Sequence, residues 1–332
     1  MAKQKLDSPK NYIIVDTANT FFRARHVVAN GDLDTKIGLA LHITLNSIKK
    51  AWNDFDGDHV IFCLEGRSWR KDYYPRYKAN RKVTREKFTP AEQEADKEFW
   101  EAFDTFTTFI ANKTNCTVLQ NERLEADDLI AGWVQSHPDD KHVIISSDSD
   151  FAQLISPTVS QYNGITEVTT TINGYLDKKG ETVIDKKSKE PKAPPDPEWL
   201  LFEKCMRGDS SDNVFSAFPK VRKNKLVEAF EDRNNKGFVW NNIMLSKWVD
   251  HEGNEHRVKE DYERNQQLID LTQQPDGVKE HIFETIKQST DNPKKIAQVG
   301  VFLLKLCHRY DLQRIKDNAQ LYAEPLNARY GI

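Results

Sequence analysis

The sequence lacks the residue patterns of the common zinc and redox sites. Its four cysteines, Cys63, Cys116, Cys205 and Cys307, are far apart and form no Cys-x-x-Cys pair. Its nine histidines include no His-Glu-x-x-His helix and no His-x-His pair. These absences exclude a zinc knuckle, a redox dithiol and the usual zinc hydrolase sites, so free structural thiols are expected. Any bound metal must therefore have oxygen ligands.

Long apolar segments are also missing. The longest apolar run, residues 299–304, is far shorter than the roughly 20 residues that a membrane-spanning helix needs. The first ten residues, MAKQKLDSPK, contain no apolar stretch of a secretory signal and no apolar partner-binding peptide. We therefore expect a cytoplasmic protein with no membrane association.

An excess of charge of either sign is absent as well. The 332 residues include 48 Lys and Arg against 51 Asp and Glu, which gives a formal net charge of −3. The mean hydropathy of −0.71 is that of a very polar chain. Taken as a whole, this balance is unlike the strongly basic domains that commonly bind nucleic acids. The length is sufficient for two domains.

What is present is an alternation of short apolar strands and helices in the first half of the chain. Strands are predicted at residues 11–16, 59–64, 116–119 and 142–147, with two more at 158–162 and 167–172 around an Asn-Gly turn. Helices are predicted at 36–52, at 94–110 and from Glu125 to about Gln135. This order predicts an α/β fold with a central, mostly parallel sheet flanked by helices.

A change in composition divides the chain. Residues 177–197 are rich in Lys, Asp and Pro and are predicted to form a flexible connector or an exposed loop. The chain beyond it is predicted to be almost wholly helical. We therefore place a domain boundary near residue 185, between an N-terminal α/β domain (1–185), which also carries most of the chemistry described below, and a helical C-terminal domain (186–332).

Acidic residues follow the predicted strands at the points where they end. Asp16, Glu65 and Asp148 each come directly after or at the end of an apolar strand. The carboxyl ends of parallel strands form the ligand crevice of such sheets, so these side chains are expected to converge. The full set of candidate metal ligands comprises Asp16, Glu65, Glu125, Asp127, Asp128, Asp148, Asp150, Asp209 and Asp212.

Converging carboxylates repel one another unless cations bind among them. Oxygen ligands without His or Cys favour Mg²⁺ or Mn²⁺. Two such ions, about 3.5–4 Å apart, can activate a water and stabilise the leaving oxygen of a phosphodiester displacement. Singly, each acidic cluster also fits a helix cap or an Asx turn. The combination of all the clusters, in this order and at strand ends, is what favours a metal site.

A basic and aromatic segment follows Glu65. Cations of this kind bind phosphates and aromatic faces stack on bases, so the segment predicts contact with single-stranded nucleic acid, whereas a solvated charged loop is the alternative. With the nine candidate ligands set aside, 42 acids (51 less nine) remain against 48 bases, so the net charge no longer argues against such a partner. The bases of the segment are Arg67, Arg70, Lys71, Arg76, Lys78, Arg81, Lys82, Arg85 and Lys87, and its aromatic residues are Trp69, Tyr73, Tyr74 and Tyr77.

These motifs together resemble those of the structure-specific 5′-nuclease (flap endonuclease) family, and in particular those of its T-even phage branch. The resemblance covers about residues 11–230. It rests on strand-Asp16, strand-Glu65, Arg70-x6-Tyr77-Lys78-x2-Arg81, Glu125-Ala-Asp-Asp128, Ser-Ser-Asp148-Ser-Asp150-Phe and Gly208-Asp209-Ser-Ser-Asp212-Asn213. It implies a PIN-like 5′-nuclease fold with a helix-hairpin motif for duplex DNA in the C-terminal region.

The resemblance also implies roles for single residues. Lys78 and Arg70 would stabilise the reacting phosphate, Tyr77 would stack on a base, and residues 82–99 would form an arch over the active site. The first metal ion would lie among Asp16, Glu65, Glu125, Asp127, Asp128 and Asp148, and the second among Asp148, Asp150, Asp209 and Asp212. Further nucleic-acid contacts would come from Arg67, Arg76, Arg81 and Lys82, and duplex contacts from Lys220, Arg222, Lys223 and Lys225.

The activity that the resemblance implies is that of a Mg²⁺-dependent 5′→3′ exonuclease and flap endonuclease with RNase H activity. Such an enzyme removes RNA primers and 5′ flaps in lagging-strand DNA replication, and Mn²⁺ is expected to substitute for Mg²⁺. Its substrates would be DNA and RNA/DNA duplexes with 5′ ends, flaps or forks. A single-strand DNA-binding protein and a sliding clamp would be partners of a monomeric enzyme, in the host cytoplasm if it is phage-encoded.

Two departures from the family pattern keep alternatives open. Glu65 stands where the family usually has Asp, so its carboxylate lies one methylene farther out and can reach an ion directly or through water. The segment Phe218-Pro-Lys-Val-Arg-Lys-Asn lacks the family's Gly-x-Gly turn. Many relatives bind a monovalent ion at that turn, and the sequence does not predict whether this protein does. The alternatives are a PIN-type ribonuclease and a non-catalytic branched-DNA-binding module.

Overall fold

A computed structural model describes residues 8–25, 27 and 31–331 of the protein. The polar N-terminal segment, for which the sequence predicts neither an export signal nor a partner-binding peptide, lies outside the described residues up to residue 7. Among the helices of the described part, none is both long and apolar enough to cross a membrane. The four cysteines are buried and free, as predicted.

Strands and helices alternate along the described chain. The strands are β1 (Asn11–Asp16), β2 (His59–Cys63), β3 (Thr117–Leu119), β4 (Lys141–Ile145), β5 (Val159–Asn163), β6 (Val168–Thr171), β7 (Gly174–Leu176), β8 (Lys247–Val249) and β9 (Glu255–Arg257). The helices up to the connector are α1 (Thr17–Ala24), α2 (Leu33–Asp54), α3 (Arg70–Tyr73), α4 (Ala79–Arg85), α5 (Pro90–Lys113) and α6 (Ala126–Ser136), with a 3₁₀ helix at Ser149–Leu154. The remaining helices are α7 (Pro197–Arg207), α8 (Lys223–Asp232), α9 (Phe238–Met244), α10 (Val258–Ile269), α11 (Asp276–Asp291), α12 (Val299–Arg309), α13 (Gln313–Lys316) and α14 (Ala319–Asn327).

The main sheet has seven strands in the order β3-β2-β1-β4-β5-β6-β7. The first five are parallel to one another, and β6 and β7 extend the sheet as antiparallel strands. β1 and β2 are buried along nearly their whole length, which is typical of central parallel strands covered on both faces. The predicted α/β fold with a mostly parallel sheet is therefore confirmed.

The predicted elements lie close to the observed ones. The second strand ends one residue earlier than predicted. α2 and α5 begin three and four residues before their predicted starts because Asp32 and Thr89 cap their N-termini. The sequence analysis missed β7, which follows β6 through a tight turn at Ile172-Asn173. The predicted connector is an exposed loop with turns of its own, and the helical second half is interrupted by the hairpin of β8 and β9.

The chain forms two compact units that are not continuous in sequence. Unit 1 comprises residues 1–67, 89–195 and 280–332, and unit 2 comprises residues 68–88 and 196–279. This differs from the single boundary predicted near residue 185. The connector does end where unit 2 resumes, but the basic segment belongs to unit 2 and the C-terminal residues return to unit 1.

The core of unit 1 explains why the C-terminal helices belong to it. Leu303 and Leu306 of α12 and Leu326 of α14 lie in the same buried cluster as Leu41 of α2 and Phe106 of α5. Each buried side chain of this size contributes on the order of 2 kcal/mol through the apolar surface it removes from water. These helices therefore complete the layer that covers one face of the main sheet.

Unit 2 has two apolar clusters of its own. One joins Phe202 and Met206 of α7 to Leu226 and Ala229 of α8. The other contains Tyr77 together with Cys205, Val214, Leu268 and Ile269. The aromatic residue of the basic segment is thus part of a core, and residues 68–88 belong to unit 2 for that reason.

Candidate functional site

The carboxyl ends of β1, β2 and β4 lie side by side in unit 1. Asp16, the last residue of β1, is paired with Cys63, the last residue of β2, and Val15 is paired with Ile145 at the end of β4. The acids predicted at these three strand ends therefore lie at one edge of the sheet, which we call the acidic edge. It contains Asp16, Glu65 and Asp148 together with the start of α6.

Asp16 is a buried carboxylate at this edge, with only 3% of its surface exposed. Its oxygens accept hydrogen bonds from Ser146 Oγ at 2.8 Å and from the backbone N–H of Asn19 at 3.3 Å, so it also caps α1. Burial and the nearby charges of Glu65 and Asp148 raise the pKa of Asp16 to about 7, although the two hydrogen bonds oppose the shift. The same carboxylate therefore caps α1 and is repelled by neighbouring acids.

The buried thiol of Cys63 lies close to several of the same acids. Its pKa is raised first by burial and then by the charges of Asp16, Asp127 and Glu65. Glu65 itself is exposed, and its Oε2 accepts a hydrogen bond of 3.2 Å from Ala126 N at the start of α6. Three of the predicted metal ligands therefore surround one residue at the end of β2.

The start of α6 is fixed by a capping box. The side chain of Glu125 accepts from the backbone of Asp128, and Asp128 Oδ2 accepts from Glu125 N at 3.2 Å. Both residues are buried, whereas Asp127 between them is partly exposed. The capping role that the sequence allows for this cluster is thus real, and it holds Asp127 at the acidic edge.

Asp148 and Asp150 lie in the turn that follows β4. Asp148 caps the 3₁₀ helix by accepting from Asp150 N at 3.0 Å, which is the Asx geometry the sequence allows. Gln161 of β5 fixes this turn, because its Nε2 donates to the carbonyl oxygens of Ser146 and Asp148. The turn therefore holds both carboxylates close to the end of the sheet.

Gly66 is required by the close approach of two chain segments at the acidic edge. A Cβ at this position would lie 1.9 Å from the carbonyl oxygen of Asn121 and 2.7 Å from that of Leu124. Gly66 N donates to Leu124 O at 2.9 Å. The glycine therefore allows the chain after β2 to pass directly beside the segment that leads into α6.

The acidic edge has the chemistry of a site for a hard divalent cation. Its donors are carboxylate oxygens, and a cation among them would relieve the repulsion that raises the pKa of Asp16. Across the described residues, no three His, Cys, Asp or Glu side chains form a preorganised set of metal ligands. The donor type thus fits the predicted ion, and the ligand positions stay a prediction.

Unit 2 carries the other two predicted ligands, which are already paired with cations. Asp209 forms an ion pair of 2.7 Å with Lys204 and accepts from Ser211 N and Oγ at 2.8 and 2.6 Å. Burial raises the pKa of Asp209, but Lys204 and Ser211 outweigh it and lower the pKa to about 2. Gly208 enters this loop with φ of +76°, and a Cβ there would lie 2.4 Å from Val214 O.

Asp212 is bound by three residues of the basic segment. Its carboxylate accepts from Tyr77 Oη at 2.9 Å, pairs with Arg81 at 2.7 Å and lies 3.5 Å from Lys78 Nζ. The backbone N–H of Lys78 also donates to Asp212 O at 2.8 Å. The structure therefore brings together three residues that the sequence assigns to phosphate and base contacts with one that it assigns to a metal.

Two asparagines connect the same segments. Asn213 Nδ2 donates to Arg76 O at 2.7 Å, and Asn80 Nδ2 lies 3.3 Å from Ser210 O. Lys78 and Asn213 both have positive φ, at 54° and 58°, which is uncommon for residues other than glycine and costs about 1 kcal/mol each. The contacts with the loop at residues 209–213 hold Lys78 in this conformation.

Two predicted substrate contacts differ from what the structure shows. Arg70 is 1% exposed, and its Nε donates to Leu268 O at 2.8 Å. Tyr77 is 5% exposed and packs in a core cluster. A buried guanidinium and a buried ring fit support of the segment better than contact with a phosphate or a base, because a ligand reaches only accessible atoms.

Unit 2 has two exposed aromatic side chains next to its bases: Tyr73, which the sequence assigns to the basic and aromatic segment, and Phe215, which the sequence analysis did not single out. Tyr73 and Phe215 are each 47% exposed, and the guanidinium of Arg76 lies over the ring of Phe215 at 5.3 Å. Ser146, Asn19 and Lys204 were also missed, although each orients or neutralises a predicted ligand. Their positions within a few residues of a predicted acid are the sequence signal that could have identified these three residues.

The predicted duplex-binding bases lie around the start of α8. Lys220, Arg222, Lys223 and Lys225 are all exposed, and no ion pair of theirs is found within the described residues. Lys220 has φ of 60° in the turn where the sequence lacks the family's glycines. The turn and the start of α8 carry four accessible cations. A helix-hairpin motif here, and the role of these cations in duplex binding, stay predictions.

The other predicted contacts are exposed. Arg67 lies in unit 1, and Arg76, Arg81 and Lys82 lie in unit 2. Most of the predicted arch, residues 82–99, is helical and exposed as far as residue 98. Phe99 is fully buried in the core of unit 1, so the exposed segment ends one residue before the predicted limit. Its function as an arch stays a prediction.

Comparisons with known proteins identify the family of the chain and support its fold. Residues 11–186 match the family model of the 5′-3′ exonuclease, N-terminal resolvase-like domain. The chain is 32% identical over 160 residues to the DNA polymerase I of Rhizobium leguminosarum, which covers 47% of this chain and 13% of the polymerase. It is 27% identical over 269 residues to the ribonuclease H of Enterobacteria phage T4, which covers 74% of this chain and 77% of that protein.

The fold also has a relative among solved structures. A crystal structure of a phage T5 flap endonuclease variant, in a pseudo-enzyme-product complex with DNA and metal ions, matches with a TM-score of 0.56 and 19% identity. The match covers 95% of this chain and 100% of that one, and it supports the assignment of the fold. Because the family model spans more than half of the 332 residues, from β1 to the connector, this protein belongs to the 5′-3′ exonuclease (flap endonuclease) family of nucleases.

Proposed function

We propose that the protein is a Mg²⁺-dependent 5′ nuclease with flap endonuclease, 5′→3′ exonuclease and RNase H activity. The observation that carries the proposal is the acidic edge within the family-matched span. Asp16, Glu65 and Asp127 all lie near Cys63, and the charges of Glu65 and Asp148 raise the pKa of Asp16. This crowding supports a site that binds divalent cations during catalysis.

The residues of unit 1 hold the carboxylates in place. Ser146 and Asn19 N orient Asp16, the capping box of α6 positions Asp127, and Gln161 fixes the turn that carries Asp148. Divalent ions, when bound, supply activation of a water and stabilisation of the leaving oxygen of the phosphodiester. That Asp209 and Asp212 ligate a second ion stays a prediction of the sequence.

The residues of unit 2 supply positive charge for substrate phosphates. Lys78 and Arg81 are held by Asp212 in the free protein, so a phosphate must compete with this carboxylate for the same cations. Such preoriented cations stabilise the negative charge that develops on a reacting phosphate. Tyr77 and Arg70 support the segment from the core, and we propose them as positioning residues.

The biological role that follows is the removal of RNA primers and 5′ flaps in DNA replication. It derives from the family and from the ribonuclease H of phage T4. A monomeric state and partnership with a single-strand DNA-binding protein and a sliding clamp are further parts of the proposal. Pull-down with each purified partner, and light scattering of the isolated protein, test these parts separately from the activity.

The activity itself is tested with two substrates labelled at the 5′ strand, a flap duplex and an RNA-primed duplex. We expect cleavage of both in Mg²⁺ or Mn²⁺ and none in EDTA. Tight binding without cleavage of either substrate would contradict the enzyme and favour a branched-DNA-binding module. Cleavage confined to single-stranded RNA would favour a PIN-type ribonuclease.

A further inference from the structure

The connector after β7 contains two lysine-rich turns with defined geometry. The first lysine turn, residues 177–181, contains Lys178 and Lys179, and the second lysine turn, residues 185–190, contains Lys186, Lys187 and Lys189. Asp177 Oδ1 accepts from the backbone of Lys179 and Glu181, and Asp185 Oδ1 accepts from Lys187 and Ser188. The carboxylates of Asp177 and Asp185 therefore accept hydrogen bonds from the backbone of their own turns, and these hydrogen bonds lower the pKa of each.

The register of the sheet locates the first lysine turn. Val15 pairs with Ile145, Ile145 with Tyr162, Tyr162 with Thr169, and Thr169 with Leu176. These residues form one row across five strands. Asp16 follows Val15 and Asp177 follows Leu176, and because β1 and β7 run in the same direction, both lie at the same edge of the sheet. The first lysine turn therefore lies at the acidic edge.

The register also gives the distance. Four strand spacings of about 4.8 Å separate β1 from β7, so the first lysine turn lies about 19 Å from Asp16 along the edge. Each nucleotide of one strand of a duplex advances about 3.4 Å along the helix axis, so this distance corresponds to five or six nucleotides. A nucleic acid that runs along this edge from Asp16 would reach the first lysine turn after this length.

The second lysine turn lies at the opposite edge of the same sheet. Val183 N donates to Tyr175 O at 2.8 Å, and Thr182 bridges to Leu176, so residues 182–184 run back alongside β7. Ile184 then bridges to Pro191 around the second turn. The two turns have similar composition and exposure but differ in which edge they occupy.

The charges that face the first lysine turn come from two elements. Asp177 and Glu181 belong to the turn itself, and Lys50 of α2 donates to Lys178 O at 3.4 Å while it pairs with Asp54 at 3.2 Å. Lys178 and Lys179 are exposed, and within the described residues neither takes part in an ion pair. Their ammonium groups are available to an external anion.

We propose that Lys178 and Lys179 form a phosphate-backbone contact for the nucleic acid bound at the acidic edge, five or six nucleotides from the site of cleavage. The proposal rests on the proposed function in that the substrate is a nucleic acid. Its chemistry is electrostatic and independent of sequence, because ammonium groups contact phosphate oxygens and not base edges. The second lysine turn lies at the opposite edge of the sheet and makes no such contact.

The test compares two variants of equal charge change, Lys178→Gln/Lys179→Gln and the control Lys186→Gln/Lys187→Gln. Binding of fluorescent flap duplexes is measured by anisotropy in EDTA over a range of salt concentrations, so that catalysis does not enter. We expect the first variant to bind about three- to tenfold more weakly, and its log K against log salt slope to fall by about 1 to 2 units. The control is expected to equal the unchanged protein.

Substrate length sharpens the test. Duplex arms are stepped from about 4 to about 12 base pairs, and the loss is expected only where an arm exceeds about 6 base pairs. An equal effect of both variants, or an equal effect at all lengths, would overturn the proposal. Loss of binding to phosphatidylserine vesicles with unchanged DNA binding would also overturn it, in favour of a membrane contact.

Two further measurements control for effects other than the loss of the lysine charges. Lys178→Arg/Lys179→Arg is expected to restore binding, and equal thermal midpoints of all variants exclude unfolding as the cause. If the protein cleaves flaps but the first variant binds normally, the lysine contact fails while the proposed function stands. If the protein does not cleave but the first variant binds weakly, the proposed activity fails and the contact stands.

Discussion

The carboxylates of unit 1 and those of unit 2 are chemically alike but lie in opposite electrostatic environments. Asp16 is buried, receives hydrogen bonds from neutral donors and has its pKa raised to about 7. Asp209 is paired with Lys204 and has its pKa lowered to about 2. The comparison teaches that a predicted set of acidic ligands need not act alike. The pKa of the acid at the sheet edge is raised by burial and by neighbouring acids, whereas the acids of the loop are paired with cations of the chain.

The largest effect is expected for Asp148→Asn at the acidic edge. The amide cannot supply the negative charge that a divalent ion requires, so turnover on flap DNA should fall by about a thousandfold or more while binding in EDTA is retained. Single-turnover cleavage and anisotropy measure the two properties. Asp291→Asn, on an exposed helix position, is the matched control and should be normal. Normal turnover of Asp148→Asn would show that the acidic edge is not the reaction centre.

A smaller loss is expected for Lys78→Ala in unit 2. Removing the preoriented ammonium should slow the chemical step at saturating metal by about ten- to a hundredfold. The control Lys259→Ala alters an exposed lysine of α10, also in unit 2, that pairs with Glu263 at 3.7 Å and has no predicted role in the site. Single-turnover rates at saturating enzyme measure the step. An unchanged rate for Lys78→Ala would assign this lysine to holding Asp212 alone.

Stability should respond in opposite directions to the same substitution in the two units. In metal-free protein at pH 8, Asp16→Asn removes a buried repelled charge and should raise the thermal midpoint, whereas Asp209→Asn removes the partner of Lys204 and should lower it. Each change is expected to be on the order of 1 kcal/mol. Thermal unfolding in EDTA and in Mg²⁺ tests this, and Mg²⁺ should stabilise the unchanged protein more than Asp16→Asn. Shifts of the same sign would contradict the comparison.

A pH dependence of stability is expected from the histidines at the start of β2 and β4. Burial lowers the pKa of His59 and of His142 to about 4, below their ordinary value of 6.5. A depressed histidine pKa means that the unfolded chain binds protons first, so the stability is present above pH 6.5 and is lost as pH falls towards 4. Urea unfolding between these values should show a loss of up to about 1.4 kcal/mol per pH unit for each group.

His142→Gln should flatten this pH dependence, and His251→Gln, at a highly exposed position, should leave it unchanged. A pH dependence that is the same in both variants would assign the acid lability to other groups. The measurement is made in EDTA so that the acidic edge does not contribute through bound metal.

Sequence reasoning succeeded where the pattern is local. The apolar runs that end at Asp16 and Asp148 predict strands, and parallel strands place their ends together whatever surrounds them. The capping signals at Glu125 and Thr89 likewise depend on residues three positions apart. Hydrophobic periodicity and capping depend on residues that are close in sequence, so strands and helix starts of this kind can be predicted without the tertiary structure.

Reasoning from sequence failed where partners are distant. Nothing near Tyr77 or Arg70 reveals that Leu268 and Ile269, almost two hundred residues later, bury them. The sequence shows that Leu303 and Leu326 are apolar, but not what they pack against. They belong to unit 1 because they pack in one buried cluster with residues of α2 and α5. Burial is a sum over many weak contacts, and each contact depends on the whole packing arrangement.

The sequence by itself determined the family, the mostly parallel sheet and the identity of the acids at its edge. The tertiary structure decided which of those acids carry raised or lowered pKa values, and which bases are free to meet a phosphate. It also decided that a connector of lysines and prolines presents two of its lysines at the acidic edge. The reason is physical: residue type sets what chemistry is possible, whereas burial, charge and register set where that chemistry can occur.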